Sequence, residues 1–311
     1  MSYLIFSDVS LDIDKNFADS HDVRYVPMEY VLGDETFHCD KPESDSMMHN
    51  YYEKLRQKVK TQTSQITPTH YMDLFEPLIK EGNDIVYLSL SSGLSNTYES
   101  ACLAARNLKE DYPDAVVEIV DSLSATGGMG LLTESAFANK EAGMSASENA
   151  EWLRKYALKV RHWFKVEDLM YLKRGGRVSA ATAVVGTALN IKPILCINRE
   201  GKLDTIDKKR GNKLALKALV DKFEATYDPS VSDVVYISCA DCVEARICLH
   251  LFITEQRDNN NAGFPKVRET GFLGSDISVH GSVVNIYRKF SMDIRRERTG
   301  TVLNQHDSLM V

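Results

Sequence analysis

Ile85-Val-Tyr-Leu-Ser-Leu90-Ser91-Ser92-Gly93-Leu94-Ser95-Asn96-Thr97 decides the fold, because a β-branched and aromatic run gives way to a hydroxyl-rich turn and then to the helical pattern Tyr98 to Leu108. Strand, polar loop and helix in that order are the repeating unit of layered α/β proteins. Similar short runs recur at Tyr3–Phe6, Val116–Val120, Ile194–Ile197 and Val234–Ser238, with amphipathic stretches between them. The spacing therefore predicts an α/β protein of parallel layers.

A second hydroxyl cluster precedes the first. Lys60-Thr-Gln-Thr63-Ser64-Gln65-Ile-Thr67-Pro68 reads as a turn, and Thr67 before Pro68 has the form of an N-cap followed by proline at the first helical position. Ser95 or Thr97 is expected to cap the helix that starts at Tyr98. Hydroxyls at such places can simply cap helices. They can also form a receptor for a carboxylate or phosphate, since free N–H groups and the positive end of the helix dipole favour an anion.

The chain has 311 residues, 43% of them hydrophobic and 26% charged, which suits a soluble globular protein with two cores of ordinary size. A net charge of -7 argues against nucleic acid as a partner. Met-Ser-Tyr-Leu-Ile-Phe-Ser-Asp8 has no basic leader, and no stretch approaches the ~18 apolar residues of a membrane span. The expectation is a cytoplasmic protein with no stable membrane anchor, any membrane contact being transient. Six scattered cysteines read as reduced thiols, the Cys239-Ala-Asp-Cys242 pair included. The eight histidines show no close pairing of metal-ligand form, so neither a metal nor a cofactor is expected.

Punctuation sets the organisation. Gly143 closes one helix and Ser145-Ala-Ser-Glu148 opens the next as a capping box, followed by Trp152, Leu153, Tyr156 and Val160 at helical spacing. Pro77 should kink or end the helix Tyr71 to Lys80. A new set of strands starts with His162–Val166, which suggests an N-terminal α/β domain over 1–160 and a C-terminal α/β domain over 161–290 with a basic loop. The latter includes strand Leu203–Lys209, helix Asn212–Thr226 and the unit Val234–Ile253, and residues 291–311 read as a polar tail.

Thr63-Ser64-Gln65, Ser91-Ser92-Gly93-Leu94-Ser95, Val120-Asp121-Ser122, Tyr171-Leu-Lys173-Arg174-Gly175-Gly176-Arg177 and Leu189-Asn190-Ile191-Lys192-Pro193-Ile194-Leu195 stand in the order seen in the DegV family. The chain resembles that family from about Tyr3 to His280. The resemblance implies a two-domain DegV-like fold of parallel and mixed sheets flanked by helices, with one long-chain fatty acid between the domains. It further implies a lipid-carrying protein, not itself an enzyme, that presents the acid to an ATP-dependent fatty acid kinase for acyl-phosphate formation. Thr63 and Ser95 would bind the carboxylate, with Ser64 and Ser92 beside them; neutral hydroxyls and N–H groups satisfy a carboxylate without burying a strong cation. The pocket mouth, facing phosphotransfer or the partner, would hold Arg174, Arg177, Arg210 and His280.

The chain departs from the family pattern in places. Asn96 stands where glycine is usual, Val9 interrupts the opening Asp8-Val-Ser10 word, and the Gly-Pro-Gly turn expected after His280 is Gly281-Ser282-Val283-Val284 instead. Asp8 is expected to orient its loop by hydrogen bonds. Thr126-Gly127-Gly128-Met129-Gly130 lacks the spacing of a dinucleotide or phosphate loop, and its small residues are expected to make room for an acyl chain. The rival reading is a serine hydrolase acting on a lipid-like ester through Ser95, His280 and Asp8. It lacks the Gly-x-Ser-x-Gly elbow.

Overall fold

The computed structural model describes residues 3–41, 45–167, 169–178, 190–226, 234–240, 266–270 and 283–288. Strands β1 (Tyr3–Asp8), β2 (Arg24–Val26), β6 (Asp84–Ser89) and β7 (Val117–Asp121) form an all-parallel sheet in the order β2-β1-β6-β7. Parallel strands covered on both faces read as nearly continuous apolar runs, and β6 is buried along almost all its length. Alternate side chains go to opposite cores: Ile5, Val86, Leu88 and Val120 to one, Phe6, Ile85, Tyr87 and Ile119 to the other.

Helices α3 (Pro68–Lys80) and α4 (Thr97–Asp111) supply Tyr71, Phe75, Ala101 and Ala104 to the second core. Helices α5 (Gly127–Glu141) and α6 (Ala146–Ala157) cover the other face with Met129, Ala136 and Leu153. Each such buried large aliphatic or aromatic side chain contributes about 1.5–3 kcal/mol. The α6 start is the expected capping box, with Ser145 accepting from the Glu148 N–H while Glu148 accepts from the Ser145 N–H. Thr67 likewise accepts from the His70 N–H at the start of α3, with Pro68 following.

A small antiparallel sheet, β4-β3-β5, packs beside the parallel one, formed by β3 (Met28–Leu32), β4 (Glu35–Cys39) and β5 (Thr61–Thr63). Short helices α1 (Lys15–His21) and α2 (Asp45–Arg56) complete this half. The remaining strands form a six-stranded mixed sheet in the order β10-β9-β8-β13-β11-β12, made by β8 (Arg161–Lys165), β9 (Ile191–Ile197), β10 (Leu203–Arg210), β11 (Val234–Ala240), β12 (Lys266–Thr270) and β13 (Val283–Arg288). After the short α7 (Leu169–Arg174), α8 (Asn212–Thr226) packs Leu216, Leu219 and Phe223 against Trp163, Ile194, Val235 and Ile237.

α5 is the middle layer. It is buried almost all round because it lies between the parallel sheet and the six-stranded one, where Leu131 meets Tyr236. The Tyr236 hydroxyl donates to Glu134 within this interface.

Several expectations give way here. Of the two outcomes expected at Pro77, a kink or an end, the end is excluded: α3 runs on to Lys80, since a proline so near the C-terminus interrupts only the last turn. Thr63 closes a strand rather than sitting in a turn, with Tyr30 opposite it in β3. α4 begins at Thr97 with Asn96 as its N-cap, whose side chain makes no capping bond; the Ser95 hydroxyl accepts from the Thr97 N–H instead. Gly128 and Gly130 open no space, because a Cβ on Gly128 would overlap the His162 ring and one on Gly130 would overlap the Asp12 carbonyl. The helical part of Val234–Ile253, Cys242, His280 and the 291–311 tail lie outside the described residues.

Candidate functional site

In the parallel sheet the order reverses between β1 and β6, so the loops leaving their carboxyl ends diverge. Ligands of open α/β sheets bind in that crevice. Both loops are anchored on one carboxylate. Asp8, fully buried at the end of β1, accepts from the Ser10 N–H at 3.1 Å, the Leu90 N–H at 3.0 Å, the Tyr87 hydroxyl at 3.1 Å and the Ser10 hydroxyl. The Tyr87 and Tyr71 hydroxyls meet at 2.9 Å, which ties α3 to the same point. Burial pushes the Asp8 carboxyl upward, and these donors oppose it. Asp8 thus orients its loop by hydrogen bonding.

The two hydroxyl clusters converge on one cleft of about 680 Å³, within the size range of small-molecule sites. One wall is Met28, Thr63–Gln65 and Ser92–Asn96; the other is Gly175–Val178, Asn198 and Lys202–Asp204. Gln65 links the clusters, its carboxamide donating to the Ser100 hydroxyl at 2.7 Å and to the Asn96 carbonyl at 3.3 Å. Asp121, at the end of β7, accepts from the Ser92 and Leu123 N–H groups and so sets the far side of the loop. The Ser95 hydroxyl lies 2.7 Å from that of Thr97 and accepts from the Thr97 N–H.

The cleft therefore gathers Thr63, Ser64, Ser92, Ser95 and Arg177 around one space. Arg177 and Lys202 outnumber Asp204 among its charged groups, a balance that favours an anion. Arg174 is exposed three residues before Arg177, its guanidinium 4.7 Å from the centre of the Tyr171 ring. Arg210 is not among the residues lining the cleft; it ends the eight-residue β10 whose first residue, Leu203, lines it. At about 3.3 Å per residue the strand separates Arg210 from Leu203 by roughly 20 Å. As for the hydrolase reading, the described partner of the Ser95 hydroxyl is Thr97, and the Asp8 carboxylate is bound by Ser10, Tyr87 and Leu90.

Sequence reasoning placed Arg177 at the pocket mouth but missed the rest of that wall, Asn198 and Lys202–Asp204. Asn198-Arg-Glu-Gly201-Lys202 is the tight turn between β9 and β10, and Asn followed by Gly at such spacing is a recognisable hairpin signal. What could not be read is that this turn lies against Ser91 and Gly93, because that contact joins residues 110 positions apart.

A parallel sheet and a small antiparallel sheet that carry one wall of this cleft, set against a six-stranded mixed sheet, define an α/β protein of three sheets with a ligand-sized site at the carboxyl end of the parallel one. The chain belongs to the DegV family: the family model described as "Uncharacterised protein, DegV family" matches residues 2–264. A DegV domain-containing protein of Clostridium perfringens is 35% identical over 254 residues, covering 82% of this chain and 87% of its own. Among solved structures, a DegV-family protein of Ruminococcus gnavus with vaccenic acid superposes with a TM-score of 0.78 at 22% identity, covering 92% of this chain and 99% of that one. The Streptococcus pneumoniae fatty acid kinase (Fak) B3 protein loaded with linoleic acid gives 0.75 at 22% identity, over 93% and 100%. At these identities the structures establish the DegV fold.

Proposed function

We propose that this protein carries one long-chain fatty acid and presents its carboxylate to an ATP-dependent fatty acid kinase for acyl-phosphate formation. The observation that carries the reading is the convergence of Thr63, Ser64, Ser92 and Ser95 on one cleft at the switch point of the parallel sheet. The fatty acids in its structural relatives, and the kinase named for one of them, support it. Thr63 and Ser95 hold the carboxylate, with Ser64 and Ser92 beside them. Burying about a dozen methylenes at ~0.8 kcal/mol each supplies roughly 10 kcal/mol, so the tail gives affinity and the hydroxyls give orientation.

Arg174 and Arg177 flank the mouth, where developing phosphoryl charge needs cations. Arg210, at the other end of β10, and His280 belong with the kinase-facing surface. The N-terminal unit over 1–160 carries the hydroxyls and the unit over 161–290 the basic loop. No catalysis of its own and no cofactor beyond the lipid is assigned to this carrier, and it works in the cytoplasm. Among the described residues no helix is long and apolar enough to cross a membrane.

Two variants test the division of labour. Ser95→Ala should weaken fatty acid binding by about 1–3 kcal/mol, as a buried charged acceptor loses one donor. Arg174→Ala should leave bound lipid near one per chain and lower kinase-dependent acyl phosphate strongly. Both are measured as retained fatty acid and as turnover with the organism's own kinase. Loss of lipid from Arg174→Ala with retention in Ser95→Ala would place the headgroup at the basic loop instead.

A further inference from the structure

We infer that Ser91 and Gly201 form a positioning pair, through which the six-stranded sheet fixes the hydroxyl loop and the width of the cleft; its effect on ligand rests on the fatty acid reading above. Ser91 is fully buried and is the first residue after Leu90. Its hydroxyl donates to the Gly201 carbonyl at 2.8 Å and accepts from the Gly93 N–H at 3.2 Å. Its carbonyl accepts from the Leu94 and Ser95 N–H groups at 2.9 and 3.1 Å. One residue thus holds the N–H groups of Gly93, Leu94 and Ser95 and ties them to the opposite sheet.

The other side of the contact is rigid. Asn198 braces the turn, its side-chain oxygen accepting from the Glu200 and Lys202 N–H groups and its amide donating to Asp204 at 3.0 Å. Gly201 sits in this turn with φ of +72°, a left-handed conformation that glycine adopts freely. Lys202 and Asp204 then face Ser92–Asn96 across the cleft, so the seating of the turn sets the gap.

The backbones meet because neither glycine has a Cβ. One on Gly93 would lie 2.6 Å from the Gly201 carbonyl oxygen. One on Gly201 would overlap the Ser91 hydroxyl, while its next neighbours, Leu123 Cδ2 at 3.2 Å and Ser91 Cβ at 3.4 Å, are tight but tolerable. The obstacle to a side chain at Gly201 is therefore chiefly one oxygen atom, and removing that atom should make room. This gives a signature that a general loss of stability does not have.

The experiment compares Ser91→Ala, Gly201→Ala and the double variant, with oleic acid as the probe. Its readings are the rate of oleate release to phosphatidylcholine vesicles and amide hydrogen exchange at Leu94 and Ser95. Gly201→Ala should release oleate about tenfold faster, equivalent to loss of one well-made polar contact, and should lose protection at both amides. The double variant should recover part of the loss relative to Gly201→Ala, since the overlapping Ser91 oxygen is gone, and should stop short of Ser91→Ala alone, since the left-handed backbone strain at position 201 remains. Unchanged exchange and release in Gly201→Ala, or a double variant no better than Gly201→Ala, overturns the pair. If exchange follows the expected pattern but the unmodified protein takes up no oleate, the positioning pair stands and the fatty acid reading fails.

Discussion

Lowering the pH from 7 to 4.5 should remove about 2–3 kcal/mol of folding stability through His162 alone. His162 is buried on β8, with its ring against Gly128 at the start of α5. Burial, followed by the charge of Arg161, pushes its pKa from 6.5 down to about 3. The folded imidazole thus stays neutral where the unfolded one takes up a proton. Stability is fully present above pH 6.5 and is lost progressively as pH falls toward 3, amounting to about 5 kcal/mol over the whole interval. His162→Gln should be less stable than the parent at pH 7 because its fit against Gly128 is poorer, but the gap should narrow by 2–3 kcal/mol, roughly, at pH 4.5. Urea unfolding at the two values measures it; an equal gap at both would show that His162 does not carry the acid sensitivity.

Glu167→Gln should destabilise the protein by about 3–5 kcal/mol, the range for leaving a buried charge without its partner. The Lys165 ammonium is fully buried, and the Glu167 carboxylate accepts from it with one oxygen and from Lys192 with the other. Lys165 also donates to the Asn212 side chain at 3.1 Å, at the start of α8. Burial raises the Glu167 pKa, but the hydrogen bonds from Lys165 and Lys192 outweigh it and hold the carboxyl below its usual range. Glu167→Gln removes the negative charge and leaves two ammonium groups facing each other in a poorly solvated place. Adding Lys165→Met to Glu167→Gln should recover a good part of the loss, because the buried charge goes with the side chain. A melting curve for Glu167→Gln that overlays the parent would mean the cluster is solvated and stabilises little.

How much of this was legible depends on whether the cause was local. β1 and β6 are parallel strands buried along almost all their length, so their sequences are apolar enough to be read directly, and the edge strand β7 shows in the apolar centre Ile119–Val120. The caps at Thr67 and Ser145 depend on residues within three positions and were equally plain. The short β5 was hidden because Thr61–Thr63 becomes a strand only by pairing with β3, thirty residues earlier. Gly33, with φ of +68°, followed by Asp34 marks the turn between β3 and β4 and could have suggested the small sheet. At the start of α4 the outcome is mixed: Asn96 takes the N-cap position without a side-chain bond, while Ser95, expected as a possible cap, accepts from the Thr97 N–H.

The site divides in the same way. Its hydroxyls stand in recognisable words, and their convergence follows from both words lying at the carboxyl end of the parallel sheet. The wall formed by Asn198 and Lys202–Asp204 carries no chemical signature, and only the docking of the two sheets brings it there. The glycines of α5 misled for a related reason. Small residues were read as space for a ligand, whereas the fold uses them to admit the His162 ring and the Asp12 backbone.

Native mass spectrometry of the purified protein, before and after incubation with a long-chain fatty acid, decides whether it is a fatty acid carrier. The expected spectrum shows a complex of one fatty acid per chain, with the acid recovered intact by extraction. A spectrum of protein alone, persisting after incubation with excess acid, would rule out a fatty acid carrier.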